Sequence, residues 1–97
     1  MTSQRAYTPA DIIWQQIPLG VKMSLGVRKQ HSDNNARSLV MNVGPSNARY
    51  QVWITLNGHD MYDITLFRGK TEVWQRLDIF AEMLGEVLLR MESENWG

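Results

Sequence analysis

The sequence predicts an α+β domain: an antiparallel β-meander of four or five strands, a C-terminal helix packed across one face, and a short N-terminal helix. Three stretches carry that expectation. Residues 50–67 form two alternating runs joined by Asn57-Gly58-His59-Asp60. Tyr50, Val52, Ile54 and Leu56 share one face of the first run, and Tyr62, Ile64 and Leu66 share one face of the second, because strand side chains alternate with period two. Asn-Gly between such runs is a strong hairpin signal, since both residues tolerate the positive φ that a tight turn needs. Near the C-terminus, Phe80, Met83, Leu84, Val87, Leu88 and Met91 recur at spacings of three and four, an apolar helical stripe that can cover the sheet. At the start, Thr8-Pro9-Ala10-Asp11 is a marked helix beginning.

In chain order, Thr8 suits the N-cap, Pro9 the first helical position, and Asp11 the position from which a carboxylate reaches back to the cap. Tyr7 and Ile12 stand at the two positions of a hydrophobic staple. This helix should run to Gln16 and dock through Ile12, Ile13 and Ile17. Residues 21–27 read as a first strand, with Val21, Met23, Leu25 and Val27 alternating against Lys22, Ser24 and Gly26. Residues 29–36 read as a polar loop, and residues 37–43 as a second strand with Leu39, Met41 and Val43 inward. Gly44-Pro45-Ser46-Asn47 has the composition of a turn. The hairpin supplies strands three and four. Residues 71–75 fit either a short fifth strand or a helix, because Val73, Trp74 and Leu77 suit both. Asp78 is the best N-cap for the closing helix, and its polar ending predicts that Trp96 and Gly97 fray.

Ninety-seven residues suffice for one core, so residues 1–97 make a single domain, and no repeat or linker divides it. With no cysteine, neither disulfides nor thiolate metal sites are available. No apolar run approaches membrane-spanning length, and the N-terminus lacks a signal peptide's apolar stretch, so the expected setting is cytoplasmic. Charge is uneven. Residues 1–49 hold six basic against two acidic side chains, a net +4, and residues 50–97 hold four against eight, a net −4. Folding that interleaves the two halves would cancel most of this polarity.

Chemistry-bearing motifs are sparse. His59, Asp60 and Asp63 are close in sequence, but Asp60 and Asp63 would point to opposite faces of a strand, and the same residues are good turn formers. His31 with Asp33 has no nucleophile beside it. No hydrolase elbow, phosphate-binding glycine loop or zinc-protease helix motif is present. The expectation is therefore a chain without enzymatic activity, cofactor or metal.

Two kinds of binding surface compete. If Tyr50, Val52 and Ile54 face the helix, Trp53 and Phe67 face away, with Arg28, Arg37, Arg49 and Arg68 near strand ends. Aromatics on an open sheet flanked by arginines can stack single-stranded nucleic acid and hold its phosphates, although zero net charge argues against it. Four Trp and three Tyr in so short a chain favour a protein partner instead, because these side chains dominate interface hot spots. A further candidate is the ridge Ala81, Gly85 and Leu89, spaced four apart on the back of the closing helix. A helix-interior glycine costs about 1 kcal/mol relative to alanine, so close approach by another helix would justify Gly85. The candidates for that approach are residues 9–16 of the same chain or, narrowly favoured, a second copy in a homodimer.

Ile54-Thr55-Leu56-Asn57, then Asp60, Tyr62-Asp63 and Phe67, then Ile79-Phe80-Ala81-Glu82-Met83-Leu84, together resemble a family of short uncharacterised proteins encoded in bacteriophages, prophages and other mobile elements. Residues 12–20 are similar to that family's opening segment. The chain departs from the pattern at Ser24-Leu25-Gly26-Val27-Arg28 and at Met91-Glu92-Ser93. The resemblance implies a mobile-element origin, which favours a host protein as partner, and it supplies no catalytic residues.

Overall fold

A computed structural model describes residues 8–32 and 37–97. Five strands, β1 Lys29–Ser32, β2 Ser38–Val43, β3 Tyr50–Leu56, β4 Tyr62–Arg68 and β5 Thr71–Ile79, form one antiparallel sheet in sequential order. Three helices, α1 Pro9–Gln16, α2 Leu19–Leu25 and α3 Leu84–Asn95, lie together on one face. The predicted α+β meander with its covering C-terminal helix is the observed architecture.

The first helix begins as its sequence dictates. Thr8 Oγ1 accepts from the Asp11 amide at 3.3 Å, and Asp11 Oδ2 accepts from the Thr8 amide at 3.1 Å, a reciprocal capping box with Pro9 just inside it. Ile13 and Ile17 are buried, while Ile12 points outward. The staple partner Tyr7 lies outside the described residues.

Residues 21–27 are not a strand. They belong to α2 and its exit, with Val21 and Leu25 buried one turn apart and Met23 turned to solvent. An alternating run and a helical i, i+4 pair are indistinguishable over so short a stretch. Pro18 precedes the helix, and Gly26 ends it with φ 68°. The first strand starts only at Lys29, inside the stretch expected to be loop. All four of its residues are exposed, and Lys29, Gln30, His31 and Ser32 make a polar edge that discourages pairing with another chain. Residues 33–36 fall outside the description.

The central hairpin pairs Leu56 with Tyr62 and Tyr50 with Arg68. Tyr50, Val52, Ile54, Tyr62, Ile64 and Leu66 are buried beneath the helices. Its connection spans residues 57–61, and the positive φ falls at Asp60 (59°) rather than at Asn57 or Gly58. Asn57 acts through its side chain instead. Its Oδ1 accepts from the His59 and Met61 amides at 2.8 and 3.2 Å, and its Nδ2 donates to Asp63 and Asp78 at 3.0 and 2.8 Å.

Residues 71–75 are strand, and β5 continues to Ile79 through two irregularities in its register with β4. Asp78 therefore caps no helix. It sits in β5 at φ 56°, its amide donating to Asp63 Oδ1 at 3.0 Å. The chain enters α3 through a 3₁₀ turn, Ala81–Met83, whose N-cap position is Phe80. That entry turns Phe80 and Met83 outward, so the predicted stripe is buried at Leu84, Leu88 and Met91 and half-buried at Val87. The C-terminus does not fray as expected. Trp96 stacks on Tyr50 with ring centroids 4.8 Å apart, and its indole lies where a Cβ on Gly44 would come within 3.1 Å.

Candidate functional site

The open face of the sheet carries the residues expected to contact nucleic acid. Register places Lys29, Asn42, Gln51, Phe67 and Glu72 in one cross-strand row, and His31, Val40, Trp53, Thr65 and Gln75 in the next. Trp53 and Phe67 do face away from the helices. They meet edge to face, centroids 6.3 Å apart at 71°, and both are half-buried. The Trp53 indole N–H donates to Gln51 Oε1 at 3.0 Å, and Gln51 Nε2 donates to Asn42 Oδ1 at 3.3 Å.

The four arginines do not form one stripe. Arg28, Arg49 and Arg68 gather where β2 ends and β3 begins, since Lys29 pairs with Asn42, Val43 with Tyr50, and Tyr50 with Arg68. Arg37 lies beyond the other end of β2, about 20 Å away by the rise of a strand. Arg28 is pinned by bonds to the carbonyls of Gly44 and Val43. Arg68 lies over the Tyr50 ring at 5.7 Å. Arg49 takes φ 57° as the chain leaves a 3₁₀ turn, Ser46–Ala48, and its carbonyl accepts from the Gly69 amide at 3.0 Å. Arg28 and Arg49, with Asn42, Ser46 and Gln51, line a polar concavity of about 290 Å³.

The ridge on α3 is divided. A Cβ on Gly85 would come within 3.2 Å of Pro18 Cδ and 3.4 Å of Val21 Cγ2, so the missing side chain admits the start of α2. The neighbour is not residues 9–16 but the segment directly after them. Ala81 is half-buried, and Leu89 keeps 41% of its surface exposed. Together they border a shallow groove of about 490 Å³ between α2 and α3. Ser24 Oγ also ties α2 to α3 by donating to Glu92 Oε1 at 2.6 Å.

The most exposed apolar surface is one that reading residues 21–27 as a strand conceals. Leu19 and Met23, one turn apart on α2, are 70% and 73% exposed. With Trp14, Lys22, Gly26 and Val27 they line an open concavity of about 430 Å³. Lys22 Nζ sits 3.8 Å from the centre of the Trp14 ring, which fixes the indole as one wall. The available signal was Gly26 following Leu25, a helix stop, with Leu19 and Met23 four apart on the face opposite Val21 and Leu25.

The turn residues weighed as metal ligands are engaged locally. Asp63 Oδ1 accepts from Asn57 Nδ2 and from the Asp78 amide, and His59 is exposed. Among the described residues no three His, Asp or Glu side chains group to hold a cation, and no helix is long and apolar enough to cross a membrane. No family model, curated protein or solved structure matches this chain.

Proposed function

We propose that this chain is a small non-enzymatic binding module that acts through protein–protein contacts, with the outer surface of α2 as its contact. The observation that carries this is the pair Leu19 and Met23, the two most exposed large apolar side chains among the described residues, flanked by Trp14 and Val27. Fully burying such a side chain is worth roughly 1.5–3 kcal/mol, so two of them beside an indole make an energetic centre for an interface. Methionine adapts its shape to a partner, and Trp14 supplies a rigid wall held by Lys22. The mobile-element origin implied by the resemblance makes a host protein the favoured partner. A cytoplasmic setting goes with this reading, because a chain without cysteine suits a reducing compartment. Self-association through Ala81, Gly85 and Leu89 has less support, since Gly85 already meets Pro18 and Val21 and such a homodimer would rest chiefly on Leu89.

Single-stranded nucleic acid on the Trp53 and Phe67 face is the second reading, favoured by Arg28 and Arg49 lining a concavity with Asn42 and Gln51 at one end of that face. Mobility shifts of a single-stranded oligonucleotide over a salt series separate the two. The protein-binding reading expects no tight complex at any salt concentration. A complex that forms at low salt and weakens steeply as salt rises supports the second reading instead.

A further inference from the structure

We infer that the concavity between Arg28 and Arg49 at one end of the sheet binds a phosphate group. The inference is independent of the α2 surface. Its lining includes Arg28, Asn42, Ser46, Arg49 and Gln51 and contains no carboxylate. Neither Arg28 nor Arg49 is ion-paired with a carboxylate among the described residues. Arg28 enters the site as a fixed charge: two of its five guanidinium N–H groups hold the carbonyls of Gly44 and Val43, which leaves three for a ligand.

A chain of side chains makes the floor donate as well. An indole N–H can only donate, so the Trp53 bond requires Gln51 to present its oxygen. The Gln51 amide group then donates to Asn42 Oδ1, so Asn42 is left presenting its NH₂. Ser46, also in the lining, carries a hydroxyl that can donate. Two guanidinium forks and a neutral NH₂ donor, with no opposing carboxylate, match the several oxygens of a phosphate. A cation would meet like charge here. An apolar ligand would leave the arginines desolvated and unpartnered.

The test is an amide and indole chemical-shift titration, with inorganic phosphate in one arm and a nucleoside 5′-monophosphate in the other, ionic strength being held with chloride. Saturable shifts at residues 46–51, at Gly69 and at the Trp53 indole are expected, the last because its acceptor Gln51 is coupled to the site. Tighter binding of the monophosphate identifies a phosphate ester as the ligand, equal binding identifies free phosphate, and either supports the site. Arg49→Gly keeps the fold, since glycine accepts the positive φ, and should weaken binding by at least about tenfold. Asn42→Asp, which exchanges a donor for a negative charge, should do the same. Unsaturable shifts, shifts that chloride reproduces, or unchanged binding by Arg49→Gly would overturn the proposal.

Discussion

Asn57 shows how one side chain can organise a turn that its backbone does not. Its oxygen takes the His59 and Met61 amides, and its amide group ties Asp63 on β4 to Asp78 on β5. Asn57→Ala removes all four bonds and should destabilise the fold by about 1–3 kcal/mol, read as a lower urea midpoint at unchanged slope. An unchanged midpoint would mean that the backbone holds the turn alone. Tyr62 provides a second test at this scale. Desolvation by burial is the dominant effect on it and raises its pKa above the usual 10.0, and its hydroxyl donates to Gln16 Oε1. The folded state therefore keeps the phenolic proton to higher pH than the unfolded chain does. The stability this provides is whole below pH 10.0 and is lost as pH rises through the folded pKa. In alkaline unfolding, Tyr62→Phe should lose stability less steeply above that pH than the parent, and an identical slope would contradict the assignment.

At the scale of elements, α2 is the decisive segment. Val21, Met23, Leu25 and Val27 alternate as a strand would, yet Gly26 stops a helix at φ 68° and Pro18 stands just before its start. Gly26→Val distinguishes the two structures directly. A β-branched residue would strengthen a strand, but in the left-handed region a side chain costs about 1–2 kcal/mol, so the thermal midpoint should fall. What the sequence makes legible here is whatever has a local cause. The capping box at Thr8 and Asp11, the alternation of residues 50–67 and the burial of Leu84, Leu88 and Met91 follow from neighbours in the chain. Asp78 and the polar edge β1 are harder, because each is set by a partner distant in sequence. Asp78 is held in β5 by Asp63, and Lys29–Ser32 becomes strand only by pairing with β2. The candidate site was legible in the same measure. Trp53 and Phe67 emerge from alternation alone, whereas Leu19 and Met23 become a surface only once α2 is known to be helical.

For the whole molecule, the helix layer and the open sheet face present different surfaces. The sheet face is polar, its two aromatic rings lie against each other, and a donor-rich hollow opens at one end. The helix layer buries the core beneath it and presents Leu19 and Met23 outward. The uneven charge of the two halves survives locally, since Arg28, Lys29 and Arg49 of the first half stay together at one sheet end. The proposed seat of partner binding is the outer surface of α2, at Leu19 and Met23. Parallel affinity capture from a cell lysate tests this, using the parent, the double variant Leu19→Glu with Met23→Glu, and Phe67→Ala on the opposite face. Surface changes of this kind alter stability by within about 0.5 kcal/mol each, so the double variant should remain folded by circular dichroism. A specific protein should be retained by the parent and by Phe67→Ala and lost by the double variant. Retention by the double variant with loss by Phe67→Ala would place the contact on the sheet and not on α2.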